Sequence, residues 1–276
     1  MLKKAAKYLF FLSIVVFIAS GCSKYSKMLK STNSDAKLEF AIDLFNKKQY
    51  YKALPLFEEL VTVYRGTKKA EKTYYYYAYT NYSLEDYETA AYDFMSFART
   101  FPNSEFAEEC AFMHAYCYYQ ASPEFSLDQT STVKAMVELQ AFADRHQNST
   151  KIEQCNTLID QLRLKLETKA FENAKLYFNM DNFKAAVTAF KTVLHDYPSG
   201  KNREESAFMI IKAWYLLAEN SVESKRMERY YEALKAYHEF TTQFSGSKYK
   251  KEADTLSELS QKRLEKINSS AISFKN

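Results

Sequence analysis

The sequence has 276 residues, of which 47% are hydrophobic and 16% aromatic, and its formal net charge is +4. Its glycines are far apart along the chain, so it contains no glycine-rich loop that cradles a phosphate. Its histidines are equally scattered and form no zinc-binding motif. These absences argue against phosphate-binding and metal-dependent enzymes, and we expect no catalytic residue, metal or cofactor.

The first 22 residues have the layout of a targeting segment. Lys3, Lys4 and Lys7 precede an uncharged apolar run over residues 8–19, which is too short to cross a bilayer of about 30 Å. The run ends in small residues directly before Cys22, and this ending resembles the lipobox of bacterial lipoproteins, although alanine stands where leucine is usual. The resemblance implies a signal peptide over residues 1–21 and lipid on Cys22. An uncleaved anchor and a plain secretory signal are the alternatives.

Residues 22–34 show no apolar periodicity, so we expect a lipidated, flexible tether. No acidic run follows the cysteine, which favours the periplasmic face of the outer membrane over the cell surface. Removal of residues 1–21 leaves 35 basic and 34 acidic residues, a balance that predicts no binding to nucleic acid.

The rest of the chain repeats one helical pattern five times. Each copy starts at an alanine and carries large side chains four, seven and eleven residues later. These positions share one face of a helix. In one copy the residue at the eleventh position is a histidine. The alanines are Ala53, Ala90, Ala135, Ala186 and Ala233. They lie 37, 45, 51 and 47 residues apart, as expected for five helix-turn-helix units with inserts. An aromatic residue precedes four of them by three positions.

In each unit a helix A precedes the helix B that carries the alanine. We predict the first three A helices over residues 35–47, 68–83 and 105–121, with inserts over 122–132 and 218–229. Residues 151–180 contain no glycine or proline and predict one long helix, and residues 248–267 predict a capping helix. The predicted domains are therefore three repeats over 35–150, followed over 151–268 by the long helix, two repeats and the cap. Pro55 predicts that the first helix B begins late or bends.

Three cysteines remain besides Cys22. Cys110 and Cys117 are seven residues apart on one predicted helix, which separates their Cα atoms by about 10 Å, too far for a disulfide. Cys155 has no partner fixed by the sequence. We expect all three to be small apolar packing residues.

The alanine pattern with its aromatic partner and terminal proline resembles the tetratricopeptide repeat. This implies an all-α solenoid of about five units plus a capping helix. Five units behind a lipobox, with a long helix leading into residues 172–200, resemble the BamD family, the lipoprotein subunits of the outer-membrane β-barrel assembly machinery. The resemblance covers nearly the whole chain after Cys22, with shorter inserts and more tyrosine than is usual.

The resemblance implies a scaffold that binds the barrel-forming subunit BamA and other assembly subunits, and that receives unfolded outer-membrane β-barrel proteins. In this repeat fold the A helices line a groove, and helix register predicts the following groove residues: Phe45, Tyr75, Tyr79, Tyr82, Phe112, Tyr116 and Tyr119. The alternative is that these rings only pack against neighbouring helices. Arg203 stands nearest to an arginine that the family uses against BamA, although a surface arginine is usually only solvated.

Two other functions fit the same pattern. One is a different periplasmic repeat lipoprotein that acts as an adaptor for enzymes of the cell envelope. The other is a carbohydrate-binding lipoprotein of the SusD kind, but those are about twice this length and use exposed tryptophan. This chain has a single tryptophan, Trp214, within a predicted helix A.

Overall fold

The computed structural model describes residues 24–273, with side chains up to residue 269. The predicted signal peptide and Cys22 lie outside this range. Every regular element within it is helical, which confirms the all-α tetratricopeptide-repeat class. The helices are α1 (24–29), α2 (Ser34–Asn46), α3 (Tyr50–Val63), α4 (Ala70–Ser83), α5 (Tyr87–Thr100), α6 (Ala107–Gln120), α7 (Thr130–Arg145), α8 (Ile152–Asn179), α9 (Phe183–Asp196), α10 (Arg203–Glu219), α11 (Glu223–Gln243) and α12 (Lys250–Ser273). None of the helices in the described range combines the length and the apolarity needed to cross a membrane.

The described residues form two compact units. Unit 1 comprises residues 24–122 and 130–158, and in it each helix from α2 to α7 packs against the next. Unit 2 comprises residues 123–129 and 159–273, and in it α9 to α12 pack in the same sequential way. The pattern of neighbour-on-neighbour packing is the one expected of tandem helical repeats.

The repeated alanines lie where helices meet. All five are at most 1% exposed, and so are the residues seven positions after them, namely Leu60, Phe97, Phe142, Val193 and Phe240. The small methyl group of alanine lets two helix backbones approach closely. The larger residue about two turns later fills the space between them. The sequence pattern therefore marks the buried face of each helix B.

The turn from helix A to helix B has the same backbone in three repeats. Lys48, Glu85 and Asp181 adopt positive φ angles of 56°, 63° and 56°, and each is followed by the N-cap residue of helix B. The next residue is the recurring aromatic, which is the first residue of α3, α5 and α9. The aromatic position thus marks the start of helix B in these three repeats, whereas Tyr230 lies inside α11, which begins at Glu223.

Successive repeats are also joined by carboxylates. In each repeat a carboxylate of helix A binds a residue in the turn that follows helix B, through a hydrogen bond or an ion pair. The distances from the donor atom to the carboxylate oxygen are 2.5 to 2.9 Å. The pairs are Asp35 with Lys69, Glu71 with Ser104, Glu108 with Ser149, Glu167 with the backbone N–H of Asn202, and Glu205 with Tyr249. Four of these carboxylates lie in the first turns of α2, α4, α6 and α10. Glu167 lies within α8, so helix A of the fourth repeat begins inside that long helix.

The contact at Glu167 depends on a glycine. The Glu167 side chain is 3% exposed, and a Cβ added at Gly200 would lie 2.6 Å from its carboxyl carbon. We expect Gly200→Ala to displace the carboxylate, break its bond to Asn202 and lower the free energy of unfolding by about 1–3 kcal/mol. Denaturant unfolding measures this loss. Gly246→Ala is the control, because its added Cβ meets no atom within 4 Å, and equal losses for both variants would contradict the explanation.

Three local expectations were wrong. Residues 24–34 are not a free tether, because α1 is helical and the hydroxyl of Tyr25 donates to the carbonyl of Lys52 at 3.2 Å. Of the two alternatives for the first helix B, the late start is wrong, since α3 starts at Tyr50 and contains Pro55, while a bend at Pro55 stays a prediction. The insert over 218–229 mostly extends α10 and α11, which leaves a turn of only three residues between them.

The long helix and the cap agree with expectation, at Ile152–Asn179 and Lys250–Ser273. Cys110, Cys117 and Cys155 are buried free thiols, as expected of packing residues. Burial raises the pKa of the Cys117 thiol to about 12, so at neutral pH it is not a thiolate.

Candidate functional site

Helix α4 is unusual because its fully buried positions are small or polar. They are Ala70, Thr73, Ala78, Thr80 and Asn81. The helix also carries six tyrosines, and all of them are half-buried and none is fully enclosed. Four consecutive tyrosines point in four directions around a helix, so one buried face cannot contain them. Each of the six tyrosines therefore keeps part of its surface exposed, and which rings face a groove stays a prediction.

Five of the predicted groove residues form what we call the tyrosine surface: Tyr75, Tyr79 and Tyr82 on α4, and Tyr116 and Tyr119 on α6. Their rings form an unbroken series of contacts. The centroid distances between successive rings are 4.7, 6.3, 6.4 and 5.6 Å. These are ordinary distances for interacting aromatic pairs. The A helices of the second and third repeats are therefore joined by one aromatic strip.

Two polar side chains of α6 bind the hydroxyl groups of this strip. The hydroxyls of Tyr75 and Tyr79 both donate to Oε1 of Glu109, the first at 3.3 Å. Gln120 Nε2 donates to the hydroxyl oxygens of Tyr82 and Tyr116, at 3.3 and 3.2 Å. These bonds fix the ring orientations.

The same environment raises the pKa of the two tyrosines that donate to Glu109. Burial, with the nearby Glu109 carboxylate, raises the pKa of Tyr75 to about 12. Burial and the hydrogen bond to Glu109 raise the pKa of Tyr79 still further. The strip combines apolar rings with hydroxyl groups.

Of the other two predicted groove residues, one lies near the strip and one is buried. Phe45 is half-buried and lies 5.2 Å from Tyr76, whose ring contacts Tyr75 at 5.9 Å. Phe112 is only 3% exposed, so the prediction that it lines an open groove is wrong. Phe142 lies 5.6 Å from its ring, and the Lys151 ammonium lies 4.6 Å from the ring centroid. These neighbours cover it.

Sequence reasoning missed Glu109 and Gln120, because it considered only the rings. Gln120 lies four residues after Tyr116 on one helix, a spacing that brings side chains together and would have revealed it. Glu109 had no comparable signal, since its partners Tyr75 and Tyr79 belong to another repeat.

Arg203 is the first residue of α10 in unit 2. Its Nη2 donates to Gln243 Oε1 at 2.8 Å, and its guanidinium carbon lies 5.4 Å from the centroid of the Phe244 ring. Both partners belong to the end of helix B of the same repeat. The arginine is therefore half-buried and held in place, unlike a freely solvated surface arginine.

An acidic residue is buried behind the tyrosine-rich helix. Asp93 of α5 is 4% exposed and accepts a hydrogen bond from Asn81 Nδ2 at 2.8 Å. Burial raises the pKa of Asp93 to about 6, against an ordinary value near 4 in the unfolded chain. The stability that protonated Asp93 contributes is complete below about pH 4 and is lost as the pH rises through 6.

We therefore expect Asp93→Asn to raise the free energy of unfolding by about 2 kcal/mol at pH 7.5. The substitution removes a buried charge and keeps an oxygen that can accept from Asn81. The gain should shrink as the pH falls from 6 towards 4. Denaturant unfolding at a series of pH values measures it, and a gain independent of pH would contradict a buried ionised Asp93.

A family model described as YfiO, outer membrane lipoprotein, matches residues 36–229. No curated protein matches the chain. Among solved structures, the TPR2AB domain of yeast Sti1, in its complex with pHSP90, shares 13% identity at a TM-score of 0.39, with 86% of this chain and 94% of that chain covered. The yeast histone chaperone Hif1 shares 14% identity at a TM-score of 0.28, with 86% and 95% covered.

Proposed function

Because the chain belongs to the YfiO family of outer membrane lipoproteins, we propose that it is a non-enzymatic scaffold of the β-barrel assembly machinery. In this proposal lipid on Cys22 anchors it to the periplasmic face of the outer membrane. It binds BamA and receives unfolded outer-membrane β-barrel proteins. The family match supports the location, and the tandem helical repeats support a role in binding proteins.

The tyrosine surface is the proposed receiving site, and it is the observation that carries the proposal. A β-strand precursor is extended, carries aromatic side chains and presents unpaired backbone groups. Tyr82 and Tyr116 offer rings for its side chains, and their hydroxyls, whose oxygens accept from Gln120, can donate to its backbone carbonyls. Tyrosine suits peptide binding because its side chain offers a large contact area and loses little conformational entropy, since only two side-chain torsions become fixed.

Arg203 is the proposed contact with BamA. Its bond to Gln243 and its position over Phe244 hold the guanidinium ready for a carboxylate on the partner. An arginine that is held in advance loses less side-chain entropy on binding than a mobile one.

Co-purification tests the proposal. The intact lipoprotein, isolated from gently detergent-solubilised membranes, should carry BamA as its main partner. Arg203→Ala should reduce the recovery of BamA, while Arg163→Ala should leave it unchanged, because Arg163 is an exposed arginine of the same unit that pairs with Asp160. Isolation of cell-envelope enzymes in place of BamA would overturn the proposal and favour an adaptor.

A further inference from the structure

A second surface, in unit 2, has the features of a binding groove. It lies between α9 and α10, has a volume of about 490 Å³, and is open to solvent. We call it the Trp214 groove and define it by Lys184, Thr188, Lys191, His195 and Asp196 of α9 and Trp214 of α10. It shares no residue with the tyrosine surface, and Arg203 does not line it.

The groove has an apolar floor. Trp214 is half-buried, and Val187, which also lines the groove, is 3% exposed. The Lys191 ammonium lies 5.8 Å from the centroid of the Trp214 ring. Thr188 turns its hydroxyl towards the carbonyl of Lys184 at 3.3 Å, so that hydroxyl is engaged by its own helix.

The rim of the groove is basic. Lys184, Lys191 and His195 follow one another at intervals of seven and four residues, which places them on one side of α9. Among the described residues neither lysine has a carboxylate partner within ion-pair distance. The one carboxylate of the lining, on Asp196, is hydrogen-bonded to His195 Nδ1 at 2.7 Å. Two lysine charges therefore face the groove against one carboxylate, that of Asp196, and neither lysine is paired with it.

We propose that the Trp214 groove binds an acidic, extended segment of a partner protein, with a bulky apolar side chain of that segment against Trp214. The charge of the rim selects carboxylates, and the indole face selects an aromatic or aliphatic group. The Cα atoms of Lys184 and Lys191 are about 10 Å apart along the axis of α9, from the helical rise. In a polyproline II segment, residues three apart lie on one side at about 9 Å, so two acidic residues at that spacing reach both lysines. This site does not depend on the role of the tyrosine surface.

The single tryptophan of the chain makes the site directly observable. The probe is the peptide Ser-Glu-Phe-Ser-Glu-Ser, blocked at both ends, added to the full chain without its signal peptide. Excitation beyond the absorption of tyrosine reports Trp214 alone. We expect a saturable change in its fluorescence that weakens as salt is added. The same peptide with glutamine in place of both glutamates should bind at least about tenfold more weakly.

Charge reversal separates the groove from the rest of the surface. We expect Lys191→Glu to weaken binding by about tenfold, measured by anisotropy of the labelled peptide so that any change in tryptophan emission does not matter. Lys235→Glu, an exposed lysine of α11 outside the groove, makes the same change in net charge and should have no such effect. Equal affinities for the glutamate and glutamine peptides would overturn the proposal. So would a fluorescence change with oligogalacturonate and none with the peptide, which would assign the groove to an anionic saccharide.

Discussion

Substitution of Ala90 by leucine is expected to lower the free energy of unfolding by about 1–3 kcal/mol, measured by denaturant unfolding. Ala90 is fully buried on α5, and α5 packs against both α4 and α6. The larger side chain must push these helices apart or adopt a strained rotamer, because protein interiors are close-packed. Each of the other repeated alanines has the same burial, so the same loss is expected there.

Tyr92→Leu is the matched control for this substitution. Tyr92 lies two residues away on the same helix and is 70% exposed, so leucine there meets solvent and not a neighbouring helix. Its effect should stay within about 0.5 kcal/mol. An Ala90→Leu protein as stable as the control would show that the alanine does not set the distance between helices.

The double substitution Tyr82→Ala and Tyr116→Ala is expected to weaken binding of a peptide from the end of an outer-membrane barrel protein by at least about tenfold. The two rings contact each other across two repeats, at a centroid distance of 6.4 Å, so their removal breaks the strip at its middle. Tyr79 is left intact because its ring packs against the buried Phe94 at 4.9 Å and its loss would open a cavity. Calorimetry or fluorescence anisotropy measures the affinity.

The control is the double substitution Tyr51→Ala and Tyr92→Ala, which removes two tyrosines that are 83% and 70% exposed. Both variants should retain their helical circular dichroism signal. Equal affinity of both variants for the peptide would show that the tyrosine surface is not the receiving site.

The fold was largely predictable because the residues that pack in each repeat lie close together in the sequence. The alanine and the large residue seven positions later lie on one helix, so their periodicity alone located the buried face. Contacts between distant segments were not predictable in this way. The residues around Tyr25 have no periodicity, and they are ordered by the contact with Lys52, which lies 27 residues away. Pro55 is accommodated within α3, where local rules favour a later start.

The site was predictable only in part, for a related reason. Helix register placed Phe112 and Tyr116 on the same side of α6, because they are four residues apart. Their rings stack at a centroid distance of 5.6 Å, but they differ in exposure, because Lys151 and Phe142 cover Phe112 and leave Tyr116 half-buried. Side chains on one face of a helix therefore differ in exposure, because neighbouring elements cover some of them and not others. The bond from Gln120 to Tyr82 joins two repeats and depends on the stacking of the helices in the same way.

The most direct test of the central claim is photocrosslinking in living cells. A photoreactive phenylalanine analogue at position 116 or 82 should form adducts with precursors of outer-membrane β-barrel proteins, identified by mass spectrometry. The analogue at position 92, which is exposed on the same unit, should form few or none. Adducts at position 116 that contain no barrel precursor, or equal yields of precursor at positions 116 and 92, would contradict the account.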